Sequence, residues 1–221
     1  MSAWWLGLKG RLAALGRFDL VRRWQDQRRP ESLAFDAENG TDTARFDWGN
    51  YEPTLPQVID RVLDAIERCL GPEETAKATF VDLGCGKGRV ILKATERSFG
   101  RVIGVELDAG LVEVAKQNIA AWQTRHPDKN KPTLVHGDAA TVPLQGEPLI
   151  LYMYNPFPTA TLDLVLRQHR GQGTWVAYVH PVDRVWVEAH GFRAKMAGLE
   201  DPNWLLYRGS DRRFTGPTPK D

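Results

Sequence analysis

The chain has 221 residues, 42% hydrophobic and 26% charged, a balance that suits one globular domain with a small extension and excludes disorder throughout. A formal net charge of +1 leaves no global field to mark a binder of nucleic acid, membrane or acidic substrates, so any such preference must be local. The two cysteines, Cys69 and Cys85, form no spaced pair and no apolar run approaches the ~20 residues that span a bilayer, so a reduced, cytoplasmic protein with no transmembrane segment and no metal site is expected.

The first 29 residues carry the chain's lopsided charge. Lys9, Arg11, Arg17, Arg22, Arg23, Arg28 and Arg29 face only Asp19 and Asp26, while Trp4, Trp5, Leu8, Leu12 and Leu15 recur at helical spacing. Three readings stay open for this basic helix: it lies on a membrane surface or an acidic partner, it is an Arg-rich targeting peptide, or it packs its tryptophans on the main domain. The segment "ESLAFDAENGTDTARFDWGNYEPT" follows, rich in Gly, Asp and Asn, and reads as loop and turn. The expected organisation is a basic helix and cap over residues 1–54, a compact domain over 55–210 and a loose tail over 211–221.

From Leu55 the chain alternates. "LPQVIDRVLDAIERCL" places Val58, Val62, Leu63 and Ile66 on one face and is closed by Gly71 and Pro72, so it is a helix with its stop. "ATFVDLG" is a strand, "GRVILKATERSF" a helix, "RVIGVELD" a strand and "AGLVEVAKQNIAAWQ" a helix. Next come the strands "PTLVHGD" and "EPLILYMYNPF", the second apolar almost throughout, as in a central parallel strand covered on both faces. A helix over 161–169, the strand "TWVAYVHP", a helix over 182–190 and the strands "FRAKMAG" and "WLLYRG" complete the pattern. Strands alternating with helices predict an α/β fold with a doubly wound, mostly parallel sheet.

In such sheets ligands sit outside the carboxyl ends of the strands, near the point where strand order reverses. The expected strand ends are Asp82 with Gly84, Gly86 and Gly88; Glu106; Asp138; Asn155 with Pro156 and Phe157; and His180. A glycine turn between strand and helix lets a ligand approach the backbone, and Glu106, about twenty residues on, suits the hydroxyls of a ribose. Nicotinamide, flavin and S-adenosylmethionine proteins share that much. Asp82 separates them: a dinucleotide would set its anionic pyrophosphate over a turn where this carboxylate repels it, at a cost on the order of a kcal/mol or more at intermediate dielectric. S-adenosylmethionine instead brings an ammonium and a sulfonium.

These residues resemble the class I, Rossmann-like S-adenosylmethionine-dependent methyltransferases over about residues 55–208. "DLGCGKG" is similar to their first motif, "VIGVELD" to the acidic strand end and "LVHGDAATVPL" to the adenine-side loop. The resemblance implies a seven-stranded sheet with an N-terminal helical cap and S-adenosylmethionine as cofactor. It further implies that Asp82, Gly84, Gly86 and Gly88 hold the methionine part, Glu106 the ribose, and Asp138 with Ala139 the adenine amino edge. "LYMYNPFPT" lies where amino-group methyltransferases carry Asp or Asn, Pro, Pro and an aromatic residue. Asn155, Pro156 and Phe157 match in part, with the aromatic one position early. The loop is also similar to that of non-SET protein-lysine methyltransferases, and both likenesses imply a nitrogen acceptor, a protein lysine or a small amine. The Phe-Asp, Gly-x-Asp-Thr and Tyr-x-Pro-Thr pattern upstream resembles a group of bacterial methyltransferases. There Asp42, Thr43 and Tyr51 are expected either to close over the cofactor or to tie the N-terminal helix to the sheet. His180 is a candidate base, with a structural role as its alternative. A nicotinamide oxidoreductase and a noncatalytic S-adenosylmethionine-binding adaptor remain the competing readings.

Overall fold

The computed structural model describes residues 30–44, 52–154, 157–199 and 202–210. In chain order these form α1 (Pro30–Asn39), α2 (Pro56–Leu70), α3 (Pro72–Lys77), β1 (Thr79–Leu83), α4 (Arg89–Thr95), β2 (Arg101–Glu106), α5 (Ala109–Arg125), β3 (Thr133–His136), β4 (Leu149–Tyr154), α6 (Thr159–Gln168), β5 (Thr174–Val179), α7 (Arg184–Ala189), β6 (Arg193–Gly198) and β7 (Trp204–Arg208). The expected basic helix before residue 30 and the tail from 211 lie outside the described residues.

The strands form one seven-stranded sheet in the order β3-β2-β1-β4-β5-β7-β6. β7 runs antiparallel to both of its neighbours, and every other pairing is parallel. This is the doubly wound, mostly parallel α/β sheet that the alternation of elements predicts. Strand order reverses between β1 and β4, the place where such sheets take ligands.

Period-two alternation divides the core between the two faces of the sheet. Phe80 of β1 and Ile150 and Tyr152 of β4 pack with Val58, Ile59, Val62, Leu63 and Ile66 of α2. Val81 and Leu83 of β1 and Leu151 and Met153 of β4 pack on the other face with Leu162, Val165 and Leu166 of α6. Covering each such aliphatic side chain is worth about 1.5–3 kcal/mol, so these central strands are the part of the chain least able to shift. α2 begins at Pro56 and stops at Gly71, whose φ of 78° and N–H to the Glu67 carbonyl terminate it. α5 is started by Asp108, whose carboxylate accepts the N–H groups of Gly110 and Leu111.

Two elements differ from the sequence reading. Residues 30–39, read there as loop and turn, form a helix whose Phe35 is 6% exposed and packs with Ile91, Leu92, Ile119 and Trp122. One buried aromatic in a polar decapeptide leaves no apolar stripe to read, so tertiary packing decides the conformation. Residues 72–77 continue as α3 where the sequence suggested only a stop. Pro72 sits at its first position, Glu73 and Glu74 lie in its first turn and Lys77 in its last, all favourable to a short helix.

Candidate functional site

β1 delivers Asp82 and then the glycine turn. Asp82 pairs in register with Gly104 of β2 and Tyr152 of β4, at the centre of the sheet. Gly84, Gly86 and Gly88 take φ values of 78, 52 and 92°, a left-handed region that costs a side-chain-bearing residue about 1–2 kcal/mol. The turn is stitched to the neighbouring strand, since the N–H groups of Gly84 and Cys85 both donate to the Val105 carbonyl, at 2.8 and 3.0 Å. Gly104 leaves room for the Cys85 side chain: a Cβ there would lie 2.8 Å from Cys85 Sγ.

Glu106 ends β2 and holds the turn from the side. Its Oε2 accepts the N–H of Gly86 at 2.8 Å and its Oε1 that of Asp108 at 2.9 Å. Its backbone carbonyl accepts from Gly137 at 2.9 Å, which brings the loop after β3 alongside. There Asp138 Oδ1 accepts the N–H of Ala140 at 2.9 Å, and Ala139 is buried.

Asp82, Gly84, Gly86, Glu106, Asp138, Ala139 and Phe157 all line one cavity of about 1110 Å³, a size suited to a ligand with tens of atoms. Asp82 is 3% exposed and takes no hydrogen bond from the described residues. Burial first, and then the Glu106 carboxylate, push its carboxyl well above the ordinary carboxylate value. Burial likewise pushes the Cys85 thiol up, with Asp82 and Glu106 adding to the effect. A buried carboxylate facing a cavity without a partner is a site for a cation and a poor neighbour for a pyrophosphate. The residues present therefore fit S-adenosylmethionine, through its ammonium and sulfonium, better than a dinucleotide.

The far wall of the cavity comes from β4, β5 and the segment before α2. Tyr152 is buried, which pushes its phenol well up, and it donates to Thr54 Oγ1 at 3.3 Å. Tyr154 donates to Glu52 Oε1 at 2.9 Å. His180 follows β5 with φ 51°, and its ring lies 6.3 Å from that of Tyr154. Asn155 and Pro156, candidates for the acceptor edge, and Tyr51 lie outside the described residues.

Two expected site residues stand apart from the cavity wall. Gly88 is the N-cap of α4. Thr43 is fully buried, with its hydroxyl donating to Asp36 Oδ1 and accepting Nε–H of Arg89 at 2.7 Å. Asp42 lies 3.8 Å from the buried Lys87 ammonium. Arg89 is the residue the sequence reading missed. It is 2% exposed, reaches Ser32 Oγ at 3.0 Å and the Thr54 carbonyl at 3.1 Å, and lines the cavity. Its place directly after the glycine motif was legible, but its partners, 35 to 57 residues away in sequence, were not. Among the described residues no group of three or more His, Cys, Asp and Glu could hold a metal ion, and no helix is long and apolar enough to cross a membrane.

Residues 80–170 match the family described as "Methyltransferase domain". Over 99 residues the chain is 27% identical to the ribosomal protein L11 methyltransferase of Burkholderia mallei, a match that covers 45% of this chain and 29% of that protein. The chain thus spans less than a third of the length of the curated relatives it matches. The fold is similar to that of a putative RNA methyltransferase from Pyrococcus horikoshii, with a TM-score of 0.58 at 16% identity over 82% of this chain and 98% of that one. It is also similar to magnesium protoporphyrin IX methyltransferase from Synechocystis PCC 6803 with bound S-adenosylhomocysteine, with a TM-score of 0.55 at 15% identity over 81% and 99% of the two chains. Residues 80–170 thus match a methyltransferase domain, in a chain with the fold of the class I, S-adenosylmethionine-dependent methyltransferases.

Proposed function

We propose that this chain transfers a methyl group from S-adenosylmethionine to a nitrogen acceptor, a protein lysine or a small amine. The observation that carries the reading is Asp82, a carboxylate buried at the glycine turn with no partner among the described residues and a cavity in front of it. In this reading Asp82 receives the methionine ammonium, while Gly84, Gly86 and Gly88 allow the backbone to approach it. Glu106 keeps free lone pairs beyond its two backbone bonds, and these accept the ribose hydroxyls. Asp138 and Ala139 border the adenine, Asn155, Pro156 and Phe157 border the acceptor, and Thr43 and Tyr51 belong to the segment that covers the site.

The bound cofactor supplies a methyl carbon activated by a positive sulfur. The chain's own task is to align the acceptor nitrogen with that carbon and to exclude water, and oriented reactions of this kind reach effective molarities of about 10⁵ to 10⁸ M. The nitrogen must be neutral when it attacks. We assign the acceptance of its proton to His180, which lines the same cavity. Nitrogen is favoured by the acidic and aromatic lining of the acceptor end. The curated relatives are named for a ribosomal protein, which supports a protein acceptor, whereas one structural neighbour is titled an RNA methyltransferase.

The test is calorimetry of the purified protein with S-adenosylmethionine, S-adenosylhomocysteine and NADH, alongside Asp82→Ala and Glu106→Ala. Binding of both adenosyl ligands, weakened in both variants, supports the site and justifies a radiolabelled-methyl screen across protein, nucleic-acid and metabolite fractions. Binding of NADH in their place overturns it.

A further inference from the structure

The cavity is lined by more negative charge than an S-adenosylmethionine site consumes. Among the described residues Glu52, Asp82, Glu106, Asp108 and Asp138 contribute five carboxylates to the wall, and Arg89 is the one Arg or Lys there. Its Nε and Nη1 donate to Thr43, Ser32 and the Thr54 carbonyl, so these donors hold the wall together. The cofactor, with an ammonium, a sulfonium and a carboxylate, adds one net positive charge.

Glu52 stands at the other end from the adenine side. Its Oε1 is fixed by the Tyr154 hydroxyl at 2.9 Å, and its Oε2 takes no hydrogen bond from the described residues. Tyr154 follows Tyr152 by two positions on β4, on the same face, and Tyr152 is the register partner of Asp82. Glu52 is thereby attached about 7 Å further along the sheet than Asp82, beyond the end of the cofactor that Asp82 would hold. Tyr154, His180 and Phe157 add aromatic surface around it. His180 holds a left-handed backbone, secured by its N–H to the Asn203 carbonyl at 2.8 Å and by its carbonyl to the Val182 N–H at 2.9 Å, a conformation that persists where surrounding structure imposes it.

We infer that Glu52, within the aromatic wall of Tyr154 and His180, is the receiving site for a methyl acceptor that arrives as an alkylammonium. This inference rests on the methyl-transfer reading above and names the charge state and recognition of its acceptor. The free carboxylate oxygen takes an ammonium N–H, and the rings face the cation. A phosphate-bearing acceptor would meet the Glu52 carboxylate there and is repelled.

The experiment uses the full chain saturated with S-adenosylhomocysteine and titrates n-butylammonium, n-butanol, butyrate, a lysine-containing peptide and a single-stranded RNA oligonucleotide, with binding followed by NMR chemical shifts. n-Butylammonium is expected to bind and the neutral and anionic isosteres are not. Glu52→Gln weakens the amine about 10-fold and Tyr154→Phe weakens it less, while S-adenosylhomocysteine affinity is unchanged in both. A lysine peptide that binds more tightly than butylammonium identifies a protein acceptor, and equal binding identifies a small amine. Butanol or RNA binding as well as the amine, or an amine affinity indifferent to Glu52→Gln, overturns the inference. The amine titration is repeated without S-adenosylhomocysteine. Failure of that ligand alone overturns the methyl-transfer reading, and Glu52-dependent amine binding is then decided on its own.

Discussion

Gly86 donates its backbone N–H to the Glu106 carboxylate at 2.8 Å, joining the middle of the glycine turn to a residue 20 positions later at the end of the next strand. The other Glu106 oxygen accepts from Asp108, the N-cap of α5. One carboxylate thus sets the shape of the turn and the start of a helix while facing the cavity. Glu106→Ala should lower stability by about 1–3 kcal/mol, because two backbone donors in a mostly buried place lose their acceptor, and should weaken S-adenosylhomocysteine binding at least about 10-fold. Glu106→Gln keeps one carbonyl oxygen and should fall between the two. Urea unfolding and calorimetry on the same preparations separate the effects; a Glu106→Ala variant with wild-type stability would remove the turn-holding role.

Asp82 should oppose stability when the cofactor is absent. Its folded-state value is raised by burial and by Glu106, so its contribution to stability is fully present below the ordinary carboxylate value of 3.8 and is lost as pH rises through the raised value. Asp82→Asn removes that loss. The variant should exceed the wild type in stability by an amount that grows with pH, reaching about 1–3 kcal/mol at alkaline pH, and should bind S-adenosylhomocysteine more weakly. Unfolding curves collected from about pH 5 to pH 9 check the slope, and a pH-independent difference would contradict it. Calorimetry in two buffers of different ionisation enthalpy should also register proton release when the wild type binds.

Arg89 ties the segment before α2 to the helix after the glycine turn, through Ser32, Thr43 and the Thr54 carbonyl. It also lies 5.8 Å from the Phe35 ring centroid. Arg89→Met retains volume but loses the fork of donors, and Arg89→Lys retains charge but not geometry. Both should lose about 2–4 kcal/mol and should expose residues 30–44 to limited proteolysis before the sheet unfolds. Proteolysis confined to the sheet, with 30–44 protected, would show that this segment is held by other contacts.

The strands of the sheet were legible in the sequence for a physical reason. β1 and β5 are buried along their whole length and β4 at all but its last residue, and such strands read as short apolar runs bounded by glycine and proline. The glycine turn and Glu106 were legible because the fold places them a fixed distance apart in sequence. The antiparallel placement of β7 between β5 and β6 left no local trace. Neither did α1, whose conformation depends on Phe35 finding Trp122 and Ile119. The far wall of the cavity was least legible: Glu52 and Tyr154 are 102 positions apart, and nothing in either neighbourhood names the other.

Gly104 links β2 to the glycine turn through volume rather than hydrogen bonding. A methyl group there would sit 2.8 Å from Cys85 Sγ, 3.0 Å from Ile91 Cδ1 and 3.1 Å from Cys85 Cβ, so Cys85 or the turn that carries it must move. Gly104→Ala should cost about 1–3 kcal/mol through overpacking, and the displaced turn should weaken S-adenosylhomocysteine binding although Gly104 makes no contact with that ligand in the proposed arrangement. Cys85→Ala removes the nearest atom and should cost about 1–2 kcal/mol for the cavity it leaves. The double variant should then be less destabilised than the sum of the single variants, by about 0.5–3 kcal/mol as for residues in direct contact, and should recover part of the lost affinity. A double-mutant cycle read by both urea unfolding and calorimetry tests this. Additive stabilities with no recovery of binding would mean that Ile91, not Cys85, absorbs the added methyl group and that the glycine turn is indifferent to the strand beside it.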